Sequence, residues 1–284
     1  MKALMSLLSA GIKRLYLYIT LPFGSFKSRF LCCVAGILNV SLALPSLVSY
    51  TVARIYDVCC RYIASKCLIK YMSFHVSCSD CEGLLVFHPK YEPLVTAVLS
   101  RLLSKGDVFV DVGAHVGRYT LLASRKVGPR GIVVAIEPVP ENYFALIENI
   151  RRNKINNIVA LPIAAWSTTT TLEFIVPPGR SEATAKERHH FSGLQLRGYK
   201  IQVKAVDLDT LLLKVLKLSK VDAMKIDVEG AEIEVLEGAR EVLKRFRPKL
   251  VIEVRPNTYP RIRGILEYLG YDIVMIDEST ILAL

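Results

Sequence analysis

Residues 107–120 read Asp107-Val108-Phe109-Val110-Asp111-Val112-Gly113-Ala114-His115-Val116-Gly117-Arg118-Tyr119-Thr120, a short apolar run, two glycines and the start of an amphipathic segment. A nearly continuous apolar run of this kind predicts a strand covered on both faces, as in a parallel sheet. Gly113 supplies a turn that other residues resist, and Gly117 is expected to leave room for a ligand against the start of a helix. Asp111 then stands at the carboxyl end of the strand, where open α/β sheets bind their ligands.

A second buried strand follows at residues 131–138, Gly-Ile-Val-Val-Ala-Ile-Glu-Pro, with Glu137 lying 20 residues after Gly117. That gap holds one helix of about 11 residues and one strand of about six. A right-handed crossover therefore returns Glu137 beside the glycine turn. A carboxylate there is acceptor-only and can take both hydroxyls of a ribose, so the pattern predicts a nucleoside cofactor. A dinucleotide fold prefers a glycine where this chain has His115. Asp111 suits a cationic sulfonium amino acid better than a diphosphate. S-adenosylmethionine, leaving as S-adenosylhomocysteine, fits better than NAD.

Further along, Pro140 marks the first turn of a helix in which Tyr143, Phe144, Ile147 and Ile150 recur at helical spacing, so these aromatics are expected in the core. Residues 157–167 read as a third strand and its exit, with Trp166 read as core and stacking on a base as the alternative. Residues 221–230 read as a fourth strand, and Asp227 and Glu229 share a face if the chain stays extended. One helix is expected to follow, acidic early (Glu232, Glu234, Glu237) and basic late (Lys244, Arg245, Arg247), which complements its dipole. Residues 248–254 form a fifth strand with Glu253 near its carboxyl end, and residues 270–276 with 281–284 a closing antiparallel hairpin. No Asp/Asn-Pro-Pro-Tyr/Phe follows the fourth strand, which, by resemblance to known enzymes that hold the planar nitrogen with that motif, argues against amino-group methylation of adenine or glutamine. The polar stretch 176–198, containing His189 and His190, reads either as an acceptor lid or as a disordered surface loop.

Over 284 residues, 52% are hydrophobic and 22% charged, which excludes a disordered chain. All seven cysteines (Cys32, Cys33, Cys59, Cys60, Cys67, Cys78, Cys81) lie in the first 81 residues, and that part carries a net charge of +7 out of the total +11. Composition thus divides the chain into residues 1–81 and 82–284. An odd number of cysteines with adjacent pairs reads as reduced thiols in a cytoplasmic setting, and Cys78-x-x-Cys81 lacks the second pair that a structural zinc needs. Residues 30–53 are uncharged and long enough to cross a bilayer, but Asn39, Pro45 and four serines or threonines dilute them, and basic residues flank both ends. The expectation is a helical N-terminal region lying on the inner membrane surface, a cap packed on the catalytic domain being the alternative.

The blocks Val110–Thr120 (VDVGAHVGRYT), 135–142 (AIEPVPEN) and 224–239 (MKIDVEGAEIEVLEGA) resemble the FkbM-type methyltransferase family, in this order and over roughly residues 92–256. The third block is the most specific of them. The resemblance implies a Rossmann-like, doubly wound α/β sheet, mostly parallel with a C-terminal antiparallel hairpin. It implies S-adenosylmethionine as donor and O-methylation of a hydroxyl on a sugar, glycan, lipid-linked or natural-product acceptor. The cofactor-binding set is Asp111, Gly113, Ala114, Gly117, Glu137, Pro138, Asn142, Ala164, Ala165 and Asp227.

Candidates for the general base are, in order, Asp227, Glu229, Glu253 and His115. No metal is assigned, a divalent ion bridging Asp227 and Glu253 being the alternative. Three other readings stand beside this one. A nucleic-acid methyltransferase would account for a pI of about 9.3, but the excess charge sits at the front and no nucleic-acid module accompanies it, so no nucleic-acid partner is expected. An NAD-dependent enzyme is disfavoured by the glycine pattern. A non-catalytic, membrane-associated scaffold would not need Asp111, Glu137 and Asp227.

Overall fold

The computed structural model describes residues 68–78, 83, 85–176, 184–185 and 199–284. Residues 30–53 with their membrane reading, every cysteine except Cys78, and His189 and His190 of the lid reading lie outside the described residues. No helix among the described residues is long and apolar enough to cross a membrane.

A seven-stranded sheet organises the molecule. Its strands are β3 (Val108–Val112), β4 (Ile132–Ile136), β5 (Ile158–Leu161), β10 (Ala223–Ile226), β11 (Lys249–Glu253), β12 (Ile273–Met275) and β13 (Thr280–Ala283), in the spatial order β12-β13-β11-β10-β3-β4-β5. β10 lies parallel to both β3 and β11, and β4 lies parallel to β3 and β5. β13 runs antiparallel between β11 and β12, which is the expected closing hairpin. Every residue of β3 is buried, as its apolar run requires. Val110 and Val112 face one layer, packed with Met224, Ile226, Leu250 and Ile252. Phe109 faces the other with Leu99, Leu122 and Val133. This is the doubly wound α/β sandwich the sequence predicts.

The helices α1 (Pro93–Leu102), α2 (Arg118–Val127) and α3 (Pro140–Arg152) follow residue 92, β3 and β4 in turn. Pro140 does open α3, but its buried face is Asn142, Leu146, Asn149 and Ile150, and Phe144 is 68% exposed. The core assignment of Phe144 is therefore corrected: Leu146 and Ile150 set the buried stripe, and Phe144 falls outside it. The single helix expected over 232–247 is two, α4 (Glu232–Glu237) and α5 (Arg240–Phe246). At the break, a β-carbon on Gly238 would stand 2.0 Å from the Trp166 carbonyl oxygen, so the chain passes too close to its neighbour for a side chain. The last helix, α6 (Tyr259–Tyr268), leads into β12.

Two pieces were not foreseen. A second, four-stranded sheet of β6 (Ala164–Ala165), β9 (Tyr199–Val206), β7 (Thr170–Val176) and β8 (Thr184–Ala185) is inserted after β5, with β7 and β9 paired antiparallel over seven residues. The stretch read as a lid or loop therefore includes the end of β7 and all of β8. Ahead of the main sheet, β1 (Ile69–Tyr71) and β2 (Phe74–Val76) form an antiparallel hairpin where a helical region was expected. Ile69 and Tyr71 are buried while Lys70 is exposed, an alternation that suits a strand and not a helix. The hairpin docks on α3: Asn149 accepts from the Ser77 N–H at 2.8 Å and donates to the Ser77 carbonyl at 2.8 Å.

Candidate active site

The carboxyl ends of β3, β4, β10 and β11 meet along one edge of the sheet, and the polar groups of the interior gather there. Gly113 turns the chain after β3 at φ 84°, and the N–H groups of Gly113 and Ala114 donate to the Ile136 carbonyl at 3.0 and 2.9 Å. His115 follows in the left-handed region, φ 53°, and its N–H donates to Glu137 Oε2 at 2.8 Å. Val139 N–H donates to Glu137 Oε1 at 2.9 Å, and the Asn142 amide approaches the same oxygen at 3.4 Å. The crossover thus delivers Glu137 to the glycine turn as the spacing predicts.

Glu137 is almost wholly buried, and burial raises its carboxyl from the ordinary 4.5 to about 7 against these three hydrogen bonds. A carboxylate offers about four acceptor positions, so capacity remains for a hydroxyl. Asp111 is 1% exposed; one oxygen accepts from the Thr120 hydroxyl at 2.6 Å, and Oδ1 has no partner among the described residues. A buried acceptor left unmatched at the mouth of the turn is a place for a cationic or donor group of a ligand. These features fit a nucleoside that carries an amino acid.

Other members of the predicted cofactor set make contacts within the protein. The space where a Gly117 β-carbon would stand is filled by Leu146, whose Cδ1 would lie 2.6 Å from it, so the missing side chain serves helix packing and a φ of 98°. The Ala114 side chain packs with Leu146 and Ile150. Asn142 acts on Glu137, and Pro138 lies between Glu137 and α3. Ala164 and Ala165 are buried and pair with Ala205 and Val206 of β9. Trp166 packs against the core of the small sheet, as expected.

Across the turn lies a second constellation. Asp227 follows β10 directly and donates its N–H to the Val112 carbonyl at 3.0 Å. Asp227, Glu229 and Glu253 offer carboxylate oxygens within 4.8 Å of one another, so the structure brings the three predicted carboxylates together. The reason differs from the one expected: Glu229 lies in the left-handed region at φ 55°, and a turn, not an extended strand, places it beside Asp227.

Lys225, buried in β10, puts Nζ 2.7 Å from Asp227 Oδ2, and Arg255 pairs with Glu229 at 2.5 Å. Burial opposes the charge of Asp227, but the Lys225 ammonium outweighs it and holds that carboxyl well below the usual range. Burial, and then the neighbouring Asp227, push Glu253 well up, so Glu253 keeps the proton of the pair. Two carboxylates matched by two cations and a third protonated leave the cluster charge-balanced. His115 is held neutral by burial, which lowers it to about 4 against the pull of Asp227, and its Nε2 has no partner among the described residues.

The outer wall of this site was not legible beforehand. Arg118, 4% exposed, opens α2 with its guanidinium among the rings of Tyr71, Tyr91 and Tyr119, at 5.3, 5.3 and 5.6 Å from their centroids. It donates to the carbonyls of Val86, His88 (3.2 Å) and Tyr91 (2.8 Å) and to the Thr96 hydroxyl (3.0 Å). A buried cation at a helix N-terminus is unfavourable for the dipole, so these carbonyls and ring faces must stabilise it. The result fixes residues 86–96 against the glycine turn. Tyr119, next in α2, donates its hydroxyl to Glu92 Oε2 at 2.5 Å, and its ring lies 4.8 Å from Lys225 Nζ.

A family model described as the methyltransferase FkbM domain matches residues 111–273. The methyltransferase sdnD of Sordaria araneosa is 29% identical over 197 residues, covering 60% of this chain and 76% of that protein. The hexuronic acid methyltransferase AglP of Haloferax volcanii is 26% identical over 167 residues, covering 59% of this chain and 64% of that protein. Among solved structures, the methyltransferase FkbM of Methylobacillus flagellatus aligns at 20% identity and a TM-score of 0.47, over 72% of this chain and 54% of that one.

Proposed function

The chain belongs to the FkbM methyltransferase family, and from that premise we propose that it transfers the methyl group of S-adenosylmethionine to a hydroxyl of a sugar-bearing or natural-product acceptor. The observation that carries this reading is the pairing of two sites at one sheet edge. Glu137 and Asp111 flank a glycine turn, and the carboxyl cluster around Asp227 lies directly across it.

S-adenosylmethionine, when bound, supplies a methyl carbon activated by a sulfonium. Glu137 would accept from the ribose hydroxyls, and the unpartnered Asp111 Oδ1 would accept from the ammonium of the amino-acid part. The carboxyl cluster around Asp227, across the turn from Glu137, would meet the acceptor, where groups that accept hydrogen bonds suit a polyhydroxylated molecule. Holding the acceptor oxygen in line with the methyl carbon can be worth about 7–11 kcal/mol, so most of the rate would come from positioning. That two relatives are named for methyl transfer, one of them to hexuronic acid, supports the class of acceptor.

Calorimetric titration of the full chain with S-adenosylmethionine, S-adenosylhomocysteine and NAD tests the cofactor. Binding of the first two and not the third, lost in Glu137→Ala, is expected. Transfer of a tritiated methyl group to a panel of methyl glycosides, neutral and uronic, then tests the acceptor class. A folded protein that binds neither sulfur compound would overturn the reading.

A further inference from the structure

We infer that Glu92, at the junction of the 86–92 wall and α1, is the general base that takes the proton of the acceptor hydroxyl. This rests on the methyl-transfer reading above. Asp227 is engaged by Lys225 at 2.7 Å and Glu229 by Arg255 at 2.5 Å. Glu253 shares a hydrogen bond with Asp227 and holds its proton. Asp111 and Glu137 are buried on the nucleoside side of the turn. Glu92 differs from all of these: it is half-buried, and its neighbours are hydroxyls, Tyr119 at 2.5 Å and Tyr91.

Both phenols keep their protons, since burial and then the Glu92 charge raise them. They therefore act as donors that orient the Glu92 carboxyl. Two donated hydrogen bonds still leave acceptor positions on the carboxylate.

The backbone points the same way. Glu92 sits at φ 40°, ψ 59°, a left-handed conformation that a non-glycine residue rarely adopts, and directly before Pro93. Such strain persists only where surrounding contacts impose it, and it gathers at functional sites. Here the imposing contact is Arg118, which bonds the carbonyl of Tyr91 and the hydroxyl of Thr96 on either side. The Glu92 side chain makes no cap to α1 although it occupies the N-cap position. It turns instead toward Tyr119, whose ring carries the Lys225 ammonium that bonds Asp227. Besides burial, the charges of Glu92 and Asp227 both raise Tyr91, so the wall and the cluster lie within electrostatic reach of each other.

The reaction balances on these groups. The acceptor O–H bond breaks with its proton passing to the Glu92 carboxylate, and an O–C bond forms to the methyl carbon. The C–S bond breaks with its electron pair remaining on sulfur, which becomes a neutral thioether.

The test uses the full chain with S-adenosylhomocysteine bound and glycidol, a small hydroxyl-bearing epoxide that esterifies ionised, reachable carboxylates. Peptide mass mapping is expected to find the adduct on Glu92 and to find none in Glu92→Gln. The same variant should keep its affinity for S-adenosylhomocysteine within about threefold while methyl transfer to the glycoside panel falls by about 10²–10⁴-fold, the range of a lost general base. An adduct on Asp227, Glu229 or Glu253 in place of Glu92, or no site adduct on folded protein, would overturn the assignment. So would wild-type transfer rates in Glu92→Gln. If the wild type binds neither S-adenosylmethionine nor S-adenosylhomocysteine, the cofactor reading falls instead, and the adduct map on unliganded protein still reports which carboxylate is ionised and reachable.

Discussion

The backbone carbonyl oxygen of Asp227 lies 1.8 Å from where a β-carbon on residue 113 would stand, so the two loops that carry the site touch through the absence of a side chain at Gly113. Gly113 also holds φ 84°. Gly113→Ala therefore meets two obstacles, a left-handed backbone costing about 1–2 kcal/mol and an overlap with backbone that has no rotamer to give. Gly106 has a similar φ of 88° with nothing among the described residues within 4 Å of its missing β-carbon. Urea denaturation should find Gly106→Ala destabilised by about 1–2 kcal/mol and Gly113→Ala by clearly more. Equal losses would mean the contact with Asp227 carries no weight.

The Lys225–Asp227 pair is a second point of strain once disturbed. Removing one member of a buried ion pair costs about 3–5 kcal/mol, because the other charge is left unmatched. Lys225→Met is expected at the lower end of that range, since the Asp227 side chain is 26% exposed. Lys225→Met combined with Asp227→Asn should recover part of the loss in thermal unfolding. The sign with pH follows from the depressed carboxyl. The contribution of Asp227 is full above the ordinary carboxylate range and is lost only as pH falls below it.

Much of this architecture is written locally. Val108–Val112 is buried throughout, and Glu137 comes back to the turn because one helix and one strand fill the interval after Gly117. The small sheet carried a signal that polar residues obscured: in Thr170–Val176, Leu172, Phe174 and Val176 alternate with exposed or half-buried positions, a period of two. What the sequence could not show was partnership at long range. Lys225 stands inside a recognisable block, yet only the parallel pairing of β10 with β3 sets it opposite Asp111. Arg118 carries no local sign of burial, and its partners, the carbonyls of Val86 and Tyr91, lie 32 and 27 positions away. Glu92 and Tyr119 lie 27 positions apart, and no spacing rule joins them.

Glu137 makes both binding and stability depend on pH, with opposite signs. Its carboxyl is raised from 4.5 to about 7, so across that window the folded protein keeps a proton the unfolded chain has lost. Stability attributable to Glu137 then falls as pH rises, by at most about 1.4 kcal/mol per unit. Ionised Glu137 is the form that accepts ribose hydroxyls, so affinity for S-adenosylhomocysteine should rise through about pH 7 and then level. Calorimetry from pH 5.5 to 8.5 on wild type and Glu137→Gln isolates this residue from other buried acids. A wild-type affinity that does not change with pH would mean Glu137 is not the nucleoside ligand.

Asn149 connects the hairpin ahead of the sheet to the cofactor turn. It is fully buried in α3, exchanges hydrogen bonds with the Ser77 backbone, and donates to the Val116 carbonyl at 3.0 Å, between His115 and Gly117. Asn149→Ala leaves those backbone groups without partners, and each buried unsatisfied group costs about 1–3 kcal/mol. The loss should not be spread evenly. Asn153 still exchanges two hydrogen bonds of 2.9 Å with the His75 backbone, so the hairpin stays attached at one end while Ser77 and Val116 loosen. Hydrogen exchange should then accelerate at residues 76–78 and 113–117 well beyond the change in β10 and β11. A uniform acceleration would place Asn149 in global stability and deny it any part in fixing the turn.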